Sequence, residues 1–563
     1  MVIEMATEQT DVLMDEEESE ESLPVAQDLH PCNLWDYNYR QLREYQQTIY
    51  ERAVKENLLV VIPTGLGKTL IAARLAAHFL ALSEYLKVIF LAPTRPLINQ
   101  HFETLQKAVK LPPNAVVELN GNTPAPKRQA VFDAPESRIF VMTPQCLKND
   151  LDHNLYSLKF VAMIVFDEAH RATGQYDYVP IADAFQTQNA NGRVLALTAS
   201  PGSTKEKIDA LLSNLHIPAG NIEYRDKRHK EVKKHSFQTD EFRIGVEMTP
   251  LMAQIHKVLM GVKEETISYY IQTYAMVDPS APTDPKVYKQ GFCAEQIKKL
   301  KSQMDANPQN RGYAGLMSIN ARLMKLFHFI HDLEAEGLSV VYKSLKKVFD
   351  NITKGKASKA DEHIAGNGNI ALIFQTLTKK TQEKSADLIH PKMIELRQIL
   401  IRQFHEEPES RVLIFTKLRS TVDLLLQYFK QVSVFKPHRF VGQASKTGDK
   451  GMSQKEQIAI LEEFKQGEHN ILIATNVAEE GLDIAECNLV VFYDNSASER
   501  QYIQRSGRTG RAMAGRVIIL YTKGTADEVY VHLSHRKKKA MINTIAPGSI
   551  DIKKREKLSS KMF

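Results

Sequence analysis

At 563 residues the chain outgrows a single core, which stops growing beyond roughly 250–300 residues, so more than one domain is expected. Its 43% hydrophobic and 25% charged residues are those of an ordinary globular protein, and with no apolar run long enough to span a bilayer and no opening secretory signal, a membrane is excluded as partner. The formal net charge is +6, yet the first thirty residues hold ten carboxylates and no Lys or Arg; setting these aside raises the charge of the remainder to +16, a basic body suited to a polyanion.

The acidic head, residues 1–34, reads as a disordered, solvated tail, with competition against nucleic acid for the basic body as the alternative. Cys32, Cys146, Cys293 and Cys487 stand far apart without metal-ligand spacing and read as reduced thiols of an intracellular protein. Order is expected from Trp35, with Leu42, Tyr45 and Ile49 at helical spacing. Apolar runs then alternate with helical patterns: Leu58–Ile62, Val88–Ala92, Ala115–Leu119, Ile139–Thr143, Met163–Asp167 and Val194–Thr198. Continuous rather than alternating hydrophobicity predicts strands buried on both faces, hence a parallel sheet covered by helices, with ligands at the strands' carboxyl ends. Residues 245–395 change character, with apolar residues at helical intervals, few strand-like runs and many lysines. They read as a helical insert with a polar loop around Asp278–Pro285 and a flexible one around Lys354–Asn369. From residue 396 the alternation returns in Val412–Phe415, Arg439–Val441, Ile471–Ala474, Leu489–Tyr493 and Val517–Tyr521, a second sheet of the same kind. Basic stretches at Arg536–Lys539 and Lys553–Lys557 close the chain, either as solvated surface or as nuclear-import or DNA-backbone patches. The domains are thus placed at 35–244, 245–395 (insert) and 396–545, followed by a basic tail at 546–563.

Three stretches carry chemistry. In the first, the strand Leu58–Ile62 stops at Pro63-Thr64-Gly65-Leu66-Gly67-Lys68-Thr69 and a helix-forming segment starts at once. Gly65 and Gly67 let the backbone approach an anion, the helix start aims N–H groups at it, Lys68 can reach the β and γ phosphates, and Thr69 can offer its hydroxyl to Mg²⁺. The usual phosphate-loop pattern has a further Gly where this chain has Ile62. In the second, the buried strand Met163–Phe166 ends in Asp167-Glu168-Ala169-His170. Two carboxylates there are costly without a cation, so Asp167 is expected to hold Mg²⁺ and Glu168 to orient and deprotonate water, with His170 linking them to Thr198-Ala199-Ser200. In the third, Gln504–Arg511, Arg508 and Arg511 stand three apart, as on one helical face, and arginine suits charge developing on a phosphoryl group.

In this order the motifs resemble a superfamily 2 DEAH-box helicase or translocase: an α/β protein of two RecA-like parallel-sheet domains with a helical insert domain between them. Arg43 and Gln46 match the adenine-reading Q motif, Pro63–Thr69 motif I, Ala92–Leu97 motif Ia, Thr143–Gln145 motif Ib, Asp167–His170 motif II, Thr198–Ser200 motif III, Val412–Thr416 motif IV, Thr475–Ile484 motif V and Gln504–Arg511 motif VI. The resemblance implies ATP and Mg²⁺ as cofactors, Gln504, Arg508 and Arg511 in the catalytic set, Asp483 on the ribose, and Thr94, Arg95, Thr143 and Thr475 on the nucleic-acid backbone. Pro63–Thr69, Ala199–Gly202, Glu479–Ile484, the insert, Phe440–Ser445 and Gly451–Gln457 are similar to the Fanconi anaemia group M / Hef branch. That branch implies 3′-to-5′ movement on forked, four-way or other branched DNA, repair of replication forks and Holliday junctions in the nucleus, and accessory DNA-repair proteins. The insert is expected to grip a second DNA arm through Lys298, Lys299, Lys301, Lys346 and Lys347. Two alternatives stand beside it: a duplex-RNA-dependent ATPase of the Dicer or RIG-I-like group, and a non-catalytic nucleic-acid-binding scaffold.

Overall fold

The computed structural model describes residues 34–546 except 228, 236, 238, 445–448, 480, 481, 483, 511 and 512. The acidic head up to residue 33 and most of the basic tail, with Lys553–Lys557, lie outside the described residues.

Seven parallel strands form the first sheet: β1 (Leu58–Val61), β2 (Lys87–Leu91), β3 (Val116–Leu119), β4 (Ile139–Met142), β5 (Val161–Asp167), β6 (Arg193–Thr198) and β7 (Ile222–Tyr224). Their spatial order is β3-β4-β2-β5-β6-β1-β7, and β1, β4 and β5 are buried at every position. Successive side chains feed opposite faces, as strand geometry demands. Leu58, Val60 and Ile62 pack under the helices Glu44–Lys55, Lys68–Leu80 and Arg95–Ala108, whereas Leu59 and Val61 join the other face. That other face is continuous with the apolar core of the second sheet, so the two lobes meet through packed side chains.

The second sheet holds β8 (Thr239–Val246), β9 (Val412–Phe415), β10 (Pro437–Phe440), β11 (Ile471–Ala474), β12 (Leu489–Phe492) and β13 (Gly515–Thr522), ordered β10-β11-β9-β12-β13-β8 and all parallel. Residues up to 244 are expected in the first domain, but β8 pairs with β13 over its whole length, from Thr239 opposite Gly515 to Val246 opposite Thr522. As an edge strand, β8 carries Asp240, Glu241 and Arg243 partly exposed, so it has no continuous apolar run to betray it. The chain therefore reaches the second sheet before it enters the insert.

The insert comprises the helices Pro250–Val277, Gln290–Ala306, Arg311–Ala335, Leu338–Thr353, Lys359–Ala365 and Gly368–Gln382 around two apolar clusters of its own. The loop around Asp278–Pro285 is present, but the flexible loop expected at Lys354–Asn369 is mostly helical. Ser358 and Asp361 form a reciprocal capping box at the start of Lys359–Ala365, and Ile364 and Ile370 are buried, which anchors that segment. The next helix, Pro391–Glu406, sends Met393, Leu396, Ile399, Leu400 and Phe404 into the core of the second sheet.

A buried polar knot fastens the root of the insert to this lobe. Lys392 Nζ, fully buried, donates to the Tyr493 carbonyl (2.9 Å) and Asp527 Oδ2 (3.1 Å) and lies 3.7 Å from Asp494 Oδ1. Burial disfavours its charge, but Asp527, Asp494 and Glu336 outweigh that and hold its pKa above the usual lysine value. Glu336 is buried beside them, and burial together with the Asp494 charge pushes its pKa well up. Next to it, Glu334 accepts from the Ala526 N–H (3.1 Å) and approaches His256 Nε2 (2.8 Å), while the Thr522 hydroxyl donates to its carbonyl (2.7 Å).

Candidate nucleotide site at the facing sheet edges

The loop after β1 turns through two left-handed glycines, Gly65 (φ 83°) and Gly67 (φ 76°), and delivers Lys68 to the first position of its helix. Gln46 and Tyr45 hold the loop from behind. Gln46 Nε2 donates to the Leu66 carbonyl (3.0 Å), its Oε1 accepts from the Arg43 N–H (2.9 Å), and the Tyr45 hydroxyl also donates to Leu66 (2.8 Å). The approach is so close that a Cβ on Gly67 would stand 2.4 Å from Gln46 Nε2. Gln46, expected to read adenine, is thus buried and engaged at both ends of its amide by the chain itself. Lys68 arches back over the loop to donate to the Ile62 carbonyl (3.1 Å), with Thr69 half-buried beside it and Pro63 leading in.

Asp167 and Glu168 cap β5, both buried. Burial alone would raise the pKa of Asp167; the His101 hydrogen bond and charge, the Lys68 ammonium and the Glu168 backbone outweigh it and bring the carboxyl below the ordinary aspartate value. His101 Nε2 lies 2.8 Å from Asp167 Oδ2, and the Tyr178 hydroxyl donates to the Asp167 carbonyl (2.6 Å). Glu168 adopts the left-handed conformation (φ 50°), uncommon for a residue with a side chain, and this turns the strand into the 3₁₀ turn Ala169–Arg171. His170 Nδ1 stands 3.3 Å from Glu168 Oε2 and 3.1 Å from the Thr198 hydroxyl, which accepts from the Ser200 N–H (3.1 Å). Ser200 in turn donates to Met541 Sδ (3.5 Å) in the terminal helix Ala526–Ile545 of the second lobe. The structure therefore brings together Glu168, His170, Thr198 and Ser200, which lie over thirty residues of sequence, and ends their chain on the opposite lobe.

Opposite this edge lies the helix Glu499–Ser506 with Gln504 buried in it. It ends before Arg508, so the helix expected to carry Arg508 stops short of it: Gly507 closes the helix and Gly510 (φ 69°) turns the chain. Arg508 is buried and points inward, donating to the carbonyls of Leu482 (2.7 Å) and Glu479 (2.6 Å), where it braces the motif V loop. Arg511 and Asp483 lie outside the described residues. At the seam, a Cβ on Gly507 would fall 2.2 Å from Thr64 Oγ1, a buried hydroxyl without a hydrogen-bond partner among the described residues. Lys227, in the segment crossing between lobes, donates to the Thr509 (3.2 Å) and Gly510 (2.8 Å) carbonyls and fixes this turn from the other side.

Two residues escaped the sequence expectations. Arg505 is buried between Phe415 and Phe492 and donates to Glu479 Oε1 (2.8 Å), the Asp494 carbonyl (2.8 Å) and Asn476 Oδ1 (3.2 Å), joining motifs IV, V and VI. The other is His101, a polar residue on the apolar stripe Leu97, Ile98, Leu105 of its helix, and that interruption is the signal that could have found it. Thr94 and Thr143 follow the neighbouring strands β2 and β4 and each begins a helix without a side-chain capping bond, so they share one sheet edge. Arg95 is exposed and donates to Asn122 Oδ1 (3.3 Å); Thr475 follows β11 on the other lobe.

Residues 43–208 match the DEAD/DEAH box helicase family, and residues 391–513 the helicase conserved C-terminal domain. The chain is 32% identical over 535 residues to the ATP-dependent DNA helicase MPH1 of Coccidioides immitis, covering 91% of this chain and 47% of that protein. It is 33% identical over 537 residues to the mph1 helicase of Aspergillus fumigatus, covering 92% and 48%. The chain thus spans about half the length of the curated relatives it matches. Among solved structures it is similar to the Hef helicase domain of Pyrococcus furiosus, with a TM-score of 0.66 and 36% identity over 89% of this chain and 99% of that one.

Proposed function

The chain belongs to the superfamily 2 DEAD/DEAH-box helicases, in the Fanconi anaemia group M / Hef branch, and from that membership we propose that it is an ATP-driven helicase or translocase that remodels branched DNA. The observation that carries the proposal is the seam itself. The phosphate loop and the Asp167–Glu168 pair on one sheet face the Gln504–Arg508 segment of the other across the contact between Thr64 and Gly507.

ATP as substrate would seat its phosphates on the Gly65–Thr69 backbone with Lys68 against the β and γ groups. Glu168 would take the proton of the attacking water, and the Glu168–His170–Thr198–Ser200 chain would report the change to the second lobe. A hard divalent cation prefers oxygen ligands, and the hydroxyl of Thr69 with the ionised Asp167 fits that preference. These two residues would hold Mg²⁺, which when bound supplies neutralisation of phosphate charge. Gln504, Arg511 and Asp483 would complete the nucleotide side, Asp483 at the ribose, and Arg508 would act through the loop it braces. Thr94, Arg95, Thr143 and Thr475 take the DNA backbone, with movement 3′ to 5′. A nuclear location and accessory DNA-repair proteins belong to the same proposal.

Gly507→Ala tests the seam. A methyl there meets the hydroxyl of a stiff β-branched residue, so the lobes must separate slightly, and misplacement by about 1 Å costs on the order of 10²-fold in rate. DNA-stimulated ATPase is expected to fall by about that factor while thermal stability holds; an unchanged rate would mean that the seam does not form during turnover.

The substrate class is tested by ATPase titration with single-stranded, duplex, forked and four-way DNA beside matched RNA. Forked and four-way DNA are expected to stimulate most, whereas strongest stimulation by duplex RNA would move the chain to the Dicer-like alternative, and no turnover with any ligand to the scaffold. In the same assay, neutralising Lys298, Lys299, Lys301, Lys346 and Lys347 should weaken binding to forked DNA more than to single strands. All five are exposed; Lys346 contacts Asp350 (3.0 Å) and Lys299 reaches the hydroxyl of the buried Tyr274 (3.4 Å). Each lost phosphate contact lowers the salt-dependence slope by roughly 0.9 on duplex DNA.

A further inference from the structure

His101 sits in the seventh position of the helix Arg95–Ala108, almost wholly buried, with its ring 6.2 Å from that of Phe90 on β2. An ionised carboxylate can only accept, so at 2.8 Å from Asp167 Oδ2 the His101 Nε2 carries the hydrogen and donates. The other ring nitrogen, Nδ1, is buried without a hydrogen-bond partner among the described residues, so the imidazole is committed to this one contact.

The same helix opens at Thr94 and Arg95, seven residues and about 10 Å of helical rise from His101. Thr94 makes no capping bond, and its Oγ1 is buried without a partner among the described residues, so this hydroxyl at the helix start has a bond still to make. Asp167, by contrast, ends a strand clamped by β2 and β6, so its backbone is fixed and only its carboxylate can respond to a neighbour that shifts.

We infer that His101 is a positioning residue through which the seating of a nucleic-acid phosphate at Thr94 and Arg95 sets the orientation of the Asp167 carboxylate. The inference rests on the proposed function and deepens it. It adds to the Glu168–His170–Thr198–Ser200 chain a second connection, one that starts at Asp167 and runs through the helix Arg95–Ala108 within the first lobe. A rigid helix carries the displacement and a single hydrogen bond reads it. By linkage the connection must run both ways: whatever DNA does to nucleotide affinity, nucleotide does to DNA affinity by the same factor.

The experiment measures the affinity for a fluorescein-labelled forked duplex by anisotropy, with and without a non-hydrolysable ATP analogue and Mg²⁺. It is run on the wild type, His101→Phe, which keeps the ring and loses the donor, and His101→Gln, which restores an amide donor. With the analogue at a concentration that saturates each variant, the ratio of the two affinities is the coupling factor, and it is blind to a uniform loss of either affinity. Coupling between such sites commonly spans roughly 5–150-fold. His101→Phe is expected to lower the factor several-fold, leaving what the Glu168–His170–Thr198–Ser200 chain carries, and His101→Gln to recover part of the loss. An unchanged factor in His101→Phe overturns the inference, as does a His101→Gln variant no better than Phe, which would mean that ring packing rather than the hydrogen bond matters. A wild-type chain that binds neither ligand sinks the functional proposal and the inference together; one that binds both with no coupling sinks the inference alone.

Discussion

Lys68→Ala is expected to eliminate nucleic-acid-stimulated ATP hydrolysis while the protein still folds. The ammonium is the loop's own cation, held over the loop by the Ile62 carbonyl where the β and γ phosphates would lie. It also belongs to the set of groups that keep Asp167 ionised against burial, so its removal touches both the phosphates and the carboxylate opposite. Losing one preorganised stabiliser of developing charge costs on the order of 10²–10³-fold in other enzymes, and here the effect should reach or exceed that range. The loop's shape does not depend on the lysine, because Gln46 and Tyr45 grip Leu66 from the other side, so the thermal midpoint should barely move. Phosphate release and a melting curve measured on the same preparation decide the matter. Turnover near the wild-type rate would remove Gly65–Thr69 as the phosphate site.

Glu168→Gln should separate binding from chemistry. The substitution keeps the shape of a buried side chain in a left-handed turn and removes only the basic oxygen beside His170. Asp167, with its own partner in His101, is left in place. Hydrolysis is therefore expected to drop by roughly 10²–10⁴-fold, the usual contribution of a general base, with the affinity for a fluorescent ATP analogue nearly unchanged. If affinity and rate fell together in proportion, the division of labour between the two carboxylates would be wrong.

Much of this site is legible in sequence because its parts end strands buried on both faces. Runs such as Leu58–Ile62 and Met163–Asp167 announce the sheet, and the residues just after them must converge on its carboxyl edge. Legibility fails where burial is one-sided or where the partner is distant. Edge strand β8 carries polar side chains on its open flank and looks like linker. The helix Lys359–Ala365 is seven residues long amid Gly, Lys and Asn, and only its capping box and the buried Ile364 reveal it. Arg508 is a charge whose direction depends on carbonyls 26 and 29 residues away, and nothing in the local spacing says whether it faces a ligand or its own chain. His101 meets a carboxylate 66 residues on, and only the packed helix brings the two together.

The placement of β8 has a mechanical consequence. Because the chain joins the second sheet before the insert and returns to it afterwards, both attachments of the insert are on one lobe, reinforced by the knot around Lys392. Among the described residues the backbone passes from the first sheet to the second only through residues 225–238. The insert is therefore a lever arm bolted to one jaw of the nucleotide cleft. Its first helix alone, 28 residues, is about 42 Å long, so a jaw rotation of about 10° sweeps the far tip through roughly 7 Å. That is about two base pairs of B-DNA, at 3.4 Å per step. Under the proposed function, a small angular change at the phosphates would become a stroke of nucleotide dimensions at the outer end of the arm.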